Sequence, residues 1–280
     1  MSHIITGDLL DQFRTQLTEE ERSPATIEKY LRDVGKFCAW AGIGAAIDKE
    51  TVLTYKDSLA QRCKIATANA ALAALNHFFK ALGWTDCVVR PFKLQRESFR
   101  DQRRELSREE YHRLTEAAQS RGQTWLYLII VTLCATGLRV SELPFVTVES
   151  LATRQAVVRN KGKTRRVILP VALCRKLRAY ARERGISRGS VFVTRTGKPL
   201  DRSNIHHAMK KLCARAGVEP TKVFPHNLRH LFAVEHYERH HDLAGLATLL
   251  GHANVNTTRI YIMVTLERKE EEINALGLVV

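Results

Sequence analysis

The chain has 280 residues, of which 44 are Lys or Arg and 29 are Asp or Glu, a formal net charge of +15. A hydrophobic share of 45% and a charged share of 26% are those of a folded chain, which excludes disorder as the main state, and the length fits two domains of ordinary size. The excess charge predicts a polyanionic partner. No apolar run reaches the roughly 20 residues of a membrane span, and six cysteines without a C-x-x-C pair, after an N-terminus with no leader pattern, read as reduced thiols in an intracellular chain.

The first elements read as helices. Leu9, Leu10, Phe13 and Leu17 mark one. Ser23-Pro24 opens the next with a capping serine and a first-turn proline; Ile27, Tyr30, Leu31, Val34, Phe37, Cys38 and Ala41 keep the 3.6 period until Gly42. Asp48 caps a third, with Val52, Leu53, Tyr55 and Leu59 facing inward. Ala68, Ala71, Leu72, Leu75, Phe78, Phe79 and Leu82 mark a fourth, stopped by Gly83. This predicts a small all-α domain over residues 1–90, a charge-dense linker over 91–105 begun by Arg90-Pro91, and a second domain over 106–280.

The second domain opens with a capping box, Ser107-Arg108-Glu109-Glu110. Residues 125–138 read as a buried helix, followed by a Thr136-Gly137 turn and a helical segment over 139–143. The period then changes to two. β-Branched runs at 156–159 and 165–169, joined by Asn160-Lys161-Gly162-Lys163-Thr164, predict a hairpin, and Val191-Phe192-Val193 a further strand. The remainder reads as helical, with stops at Gly217 and Gly251. The fold class is mostly α, with a small antiparallel β-hairpin or sheet in the second domain.

The charge is uneven along the chain. Residues 1–90 carry 11 basic and 11 acidic groups, residues 91–215 carry 27 and 10, and the last 65 residues are slightly acidic. The basic middle is the expected face for a polyanion.

Four constellations can carry chemistry. Arg139 follows the glycine turn at the start of a helix, where backbone N–H groups can face an anion. Lys161 lies in the hairpin turn. His226 and Arg229 are i, i+3 on one helix face. His252 follows the helix-breaking Gly251, nine residues before Tyr261, and Thr257 or Thr258 can cap the next helix, which carries Tyr261. His226 and His230 have a spacing that zinc can use, but Asn227 stands where a metalloprotease helix needs Glu, and no Asp/Glu cluster suited to Mg²⁺ accompanies them. Together the groups are a cationic set with one hydroxyl nucleophile. That is what attack on a phosphodiester needs without a metal: guanidinium forks for the phosphate oxygens, an activated hydroxyl, and a proton donor for the leaving oxygen.

The motifs that hold these residues resemble those of the tyrosine recombinase (phage integrase) family, above all its compact Xer-type members without an arm-binding domain. ATGLRVSEL at 135–143 resembles the first arginine box and NKGKTRRVILP at 160–170 the β-hairpin. PHNLRH at 225–230 resembles the His-x-x-Arg box and LLGHANVNTTRIYIMV at 249–264 the final box. Two departures are Asn227, where Asp is common, and a slightly short stretch between Arg139 and Lys161.

The resemblance spans nearly the whole chain and implies a two-domain, C-shaped DNA clamp whose N-terminal helices form a SAM-like core-binding domain. It implies that Tyr261 is the nucleophile, forming a 3′-phosphotyrosyl link. Arg139, Arg229 and His252 would hold the phosphate, Lys161 would protonate the leaving oxygen, His226 would assist proton transfer or orient the phosphate, and Glu142 would support. Lys163, Arg165 and Arg166 are expected to contact DNA. No metal, ATP or other cofactor is implied. The implied partners are double-stranded DNA with paired inverted half-sites, and further copies of the chain: a tetramer on DNA, a monomer or weak oligomer off it, exchanging strands through a Holliday junction. A directionality factor is a further partner to consider, and the tail, 262–280, docks either on its own domain or into a neighbour. The expected location is cytoplasmic, at the nucleoid, with no membrane. On sequence alone the alternatives are a non-cleaving DNA-binding protein of the same fold, a type IB topoisomerase or telomere-resolving enzyme, and a metal-dependent nuclease.

Overall fold

The structure is a computed structural model. It describes residues 2–93, 104–160, 163–194, 196–252, 254–259 and 274–275, without the side chains of Asn160 and Lys163. The chain divides into two compact units, Met1–Arg96 and Glu97–Val280.

The first unit holds four helices: α1 (Leu9–Glu19), α2 (Pro24–Ala41), α3 (Lys49–Arg62) and α4 (Ile65–Ala81). Their starts follow from local chemistry. The Ser23 hydroxyl accepts the Thr26 N–H at 3.3 Å, with Pro24 in the first turn of α2. The Asp48 carboxylate accepts the Thr51 N–H at 2.9 Å and opens α3. The core is aromatic. Phe37 meets Tyr55 and Phe79 edge-on, with ring centroids 5.1 and 5.6 Å away, and Phe13 meets Phe78 at 5.2 Å. Leu53, expected inward, is 41% exposed, because Val52 and Tyr55 already fill the buried face of α3. Two short strands, β1 (His3–Ile4) and β2 (Ala46–Ile47), pair antiparallel and tie the N-terminus to the α2–α3 connection. Two residues are too few for alternation to show in a sequence.

Helix α4 carries polar residues on a face turned to the protein. Asn69 and Asn76 are seven apart, two helical turns, and each exchanges a pair of hydrogen bonds with one backbone residue. Asn76 binds Val89 at 2.7 and 2.9 Å, and Asn69 binds Phe92 at 2.9 and 2.8 Å. Their amides mimic a neighbouring strand, so residues 88–92 run along α4 with backbone groups satisfied.

In the second unit, α5 (Arg108–Ser120) starts with both bonds of the Ser107–Glu110 capping box. Helix α6 (Thr124–Thr136) is the axis of the core: Leu126, Leu128, Ile129, Ile130 and Leu133 are all buried. Helix α7 (Val148–Thr153) leads into β3 (Gln155–Asn160) and β4 (Lys163–Ile168), then α8 (Val171–Glu183), α9 (Arg202–Ala216), α10 (Pro225–His240), α11 (Leu243–Leu250) and α12 (Val255–Arg259). Residues 191–193 do not form the expected strand. Val193 bridges Pro199 singly, and burial of Val191 and Phe192 explains the apolar run.

The hairpin is longer than its apolar runs. Arg159 pairs with Thr164 and Asn160 with Lys163, so two residues turn the chain where five were expected. That register decides orientation. Arg165 lies opposite the buried Val158, on the inner face, while Arg166 lies opposite the half-exposed Val157, on the outer one. No helix among the described residues is long and apolar enough to cross a membrane.

The asparagine ladder is open to test. Replacing Asn76 with Leu leaves the N–H and C=O of the buried Val89 without these partners. The expected cost is about 1–3 kcal/mol, read by urea denaturation, with faster proteolysis over residues 88–93. Wild-type stability and protease resistance in this variant would show that the segment is held by other contacts.

Candidate phosphate-binding site

The site is built where helices end. Helix α6 closes at Gly137 in the left-handed conformation (φ +64°), and a Cβ there would lie 2.6 Å from Cδ1 of Phe232. Conformation and space both demand glycine. The chain then enters a 3₁₀ turn over Val140–Phe145, with Arg139 at its head. The N–H of Arg139, expected to be available to an anion, is taken by Glu142 Oε2 at 2.8 Å.

Glu142 is 1% exposed, and a carboxylate that deep needs partners. It has two arginines: Arg139 on Oε1 at 3.0 Å and Arg165 on Oε2 at 2.6 Å. The Arg139 side chain stays 39% exposed and keeps donors for a ligand. Arg165 was expected on DNA and is instead turned inward. The hairpin register points it at Glu142, and its Nη1 donates to the carbonyl of Leu249 at 2.8 Å. Arg166 is exposed on the outer face of the hairpin.

Pro225 opens α10, which carries His226 in its first turn and Arg229 one turn on. Arg229 is buried. It donates to the carbonyls of Gly137 at 2.5 Å and Leu250 at 2.7 Å, and to Nε2 of His252 at 2.9 Å. A guanidinium only donates, so Nε2 of His252 accepts and the ring proton sits on Nδ1. That nitrogen lies 2.8 Å from the hydroxyl of Thr258 on α12. Burial first, then the charges of Arg229, Arg139, Arg165 and His226, pushes the pKa of His252 down to about 4, so its ring is neutral at pH 7. His226 reaches solvent, yet the surrounding protein and then Arg229, His230 and Arg139 hold it below the ordinary histidine value.

The expected residues Arg139, Glu142, Arg229 and His252 therefore converge, with His226 among the charges that act on His252. Lys161 and Tyr261 lie outside the described residues, as do the side chain of Lys163 and the tail apart from residues 274–275. Sequence reasoning missed two roles. Thr258, considered as a helix cap, is fully buried inside α12 and orients His252. Asn227 donates through Nδ2 to the carbonyls of Arg104 and Lys222 at 2.8 and 2.7 Å. An ionised aspartate cannot donate to either, which accounts for the amide here.

His230, weighed as a metal partner of His226, is paired with Glu105 at 3.1 Å. Among the described residues, His3, Asp86 and Cys87 of the first unit do bring ligand atoms within 4.8 Å of one another. There, however, His3 is hydrogen-bonded to Asp86 at 2.8 Å, and burial pushes the Cys87 thiol up, which favours its protonated form. The arginine-lined site can instead surround a tetrahedral oxyanion such as a phosphate with guanidinium donors.

Known proteins are similar to this chain. Residues 104–268 match the phage integrase family, and residues 9–85 match the phage integrase N-terminal SAM-like domain. Tyrosine recombinase XerA of Thermococcus kodakarensis is 31% identical, over 95% of this chain and 95% of its own. The XerH site-specific recombinase, in a post-cleavage complex with palindromic difH substrate, has the same fold, with a TM-score of 0.73 at 21% identity over 94% of this chain and 85% of that one. So does a lambda integrase tetramer bound to a Holliday junction, with a TM-score of 0.74 at 19% identity over 92% and 78%. With both units matched and a relative aligned along almost its full length, the chain belongs to the phage integrase family and is a tyrosine site-specific recombinase.

Proposed function

We propose that this recombinase cleaves DNA through Tyr261, one strand at a time, in a site that uses neither a metal nor ATP. The observation that carries the reading is the convergence of Arg139, Arg229 and His252, each held from behind by a carboxylate, a carbonyl or a hydroxyl. The scissile phosphate takes the place that these donors can surround. The Tyr261 oxygen forms a bond to phosphorus while the bond to the 5′ oxygen breaks, leaving a 3′-phosphotyrosine. His226, whose lowered pKa keeps it neutral, receives the tyrosine proton, and Lys161 gives a proton to the departing 5′ oxygen. Arg139 and Arg229 meet charge that builds on the non-bridging oxygens. The phosphate also offers Arg229 a further acceptor and favours a protonated His252, which then donates as well. One phosphoester is exchanged for another, so rejoining by a 5′-hydroxyl from the partner strand needs no energy source.

The first unit, with the linker over 91–105, is assigned to gripping the core of the DNA site, and Lys163 and Arg166 to backbone contacts beside the hairpin turn. The DNA-bound relatives support double-stranded DNA with paired inverted half-sites as the substrate, and a tetramer as the working assembly. The tail, 262–280, then docks into a neighbouring copy, and the enzyme works at the nucleoid. A directionality factor remains the partner for which a pull-down on assembled DNA would look.

A nicked duplex carrying a candidate inverted repeat, sought in the DNA that flanks the coding region, tests the chemistry. Wild type is expected to become covalently trapped, in EDTA as well as in Mg²⁺, and Tyr261→Phe is expected not to. Trapping by Tyr261→Phe would remove the nucleophile assignment; its loss in EDTA would remove the metal-free one; DNA binding with no trapping in wild type would favour the non-cleaving alternative. Arg229→Lys retains the charge but loses the fork that reaches Gly137, Leu250 and His252. Its single-turnover trapping rate is expected to fall by roughly a hundredfold or more, and a fall of less than threefold would place the phosphate elsewhere.

A further inference from the structure

We propose that Arg165 is a positioning residue that seats the β3–β4 hairpin on the site by bridging buried Glu142 to the Leu249 carbonyl at the end of α11. Three segments bring the site together: the 3₁₀ turn behind Arg139, the hairpin of β3 and β4, and the end of α11 that leads to His252. The Arg165 guanidinium is anchored on the second and bonded to the other two. Its Nη2 reaches Glu142 Oε2 at 2.6 Å, and its Nη1 reaches the Leu249 carbonyl at 2.8 Å.

The space around it is shaped for this bridge. Gly251 caps α11 in the left-handed conformation (φ +67°), and a Cβ there would lie 2.3 Å from Cδ and 2.7 Å from Nε of Arg165. The glycine is needed for the turn and again for the passage of the arginine. The Arg165 side chain is 13% exposed, so it is poorly placed for DNA and well placed to neutralise a carboxylate that is almost wholly buried. By taking one face of Glu142, it leaves Arg139 with donors directed outward. A lysine ends in a single compact ammonium and cannot reproduce a fork spanning two acceptors on different segments.

The inference rests on the proposed role of Arg139 and His252, and its test has one arm independent of cleavage. The variants are Arg165→Lys, Arg165→Met and the pair Glu142→Gln with Arg165→Met, each in the full chain. DNA affinity is expected to stay within about threefold of wild type, while the single-turnover trapping rate at saturating DNA falls by roughly a hundredfold, the size of effect that a misplacement near 1 Å produces. In the paired variant the buried carboxylate is gone, so thermal stability should recover while the rate stays low. If Arg165→Met does not fold, Arg165→Lys carries the rate and affinity comparison and the paired variant, which also lacks the Arg165 charge, carries the titration.

The independent arm is the imidazole titration of His252 in DNA-free protein, followed by NMR. The groups that act on this ring are Arg229 and His226 from α10, Arg139 before the 3₁₀ turn, Arg165 from β4, and the Thr258 hydroxyl from α12. Removing one of the three arginine charges moves the titration upward from about 4. A folded variant that traps DNA at near the wild-type rate, a paired variant that regains the rate, an unmoved His252 titration, or a loss of DNA affinity as large as the loss of rate would each overturn the assignment. The last outcome would return Arg165 to contacting DNA. If wild type itself never traps DNA, the cleavage proposal fails while the titration still decides whether Arg165 faces His252.

Discussion

The site depends on keeping several positive charges together before any phosphate arrives. Arg139, Arg165 and Arg229 all act on the same histidine, and guanidinium groups this close repel one another in a partly buried setting. The fold offsets the repulsion from behind. Helix α11 ends with two carbonyls outside its own hydrogen-bond ladder: Leu249 accepts from Arg165 and Leu250 from Arg229. Helix α6 gives the Gly137 carbonyl to Arg229. Helix C-termini are the negative ends of helix dipoles, so the cations sit where backbone charge favours them. Glu142 adds the one full negative charge described in the cluster, buried so that it serves the arginines rather than solvent.

Both helix ends are made by glycine, and for a common reason. At Gly137 and Gly251 the backbone enters the left-handed region, and an arginine meets the carbonyl of Gly137 itself in the first case and those of Leu249 and Leu250 in the second. At each, a side chain would also strike a neighbour, Phe232 in one case and Arg165 in the other. The short strings ATGLR and LLGH are therefore geometric units: a helix end, a turn with no Cβ, and a functional side chain within two residues. This is why a linear sequence exposes the site so readily.

What could be read from the sequence was what is local. Ser23, Asp48 and the Ser107–Glu110 box cap their helices because capping is decided within four residues. The orientation of Arg165 was not legible, since it depends on the parity of a hairpin: a two-residue turn places it inside, and one residue of slip would place it outside. Asn69, Asn76 and Asn227 were equally opaque, because their partners are backbone groups 5 to 123 residues away that leave no pattern in the sequence. Leu53 and residues 191–193 show the reverse error, in which apolar or β-branched character was taken for a burial or pairing that neighbours had already supplied. The roles given to Lys161 and Tyr261 rest on motif resemblance.

The partners described for Arg139, Arg229 and His252 all lie between Gly137 and Thr258, ahead of Tyr261 in the chain. These donors are thus supported by α6, the 3₁₀ turn, the hairpin, α10, α11 and α12. Damage to Gly137, Gly251 or Glu142 should disturb folding and chemistry together, because the same bonds hold the core and align the donors. The net charge of +15 stands apart from both. It draws the chain to DNA over distances set by salt, whereas the reaction turns on a few arginines fixed by carbonyls within 3 Å.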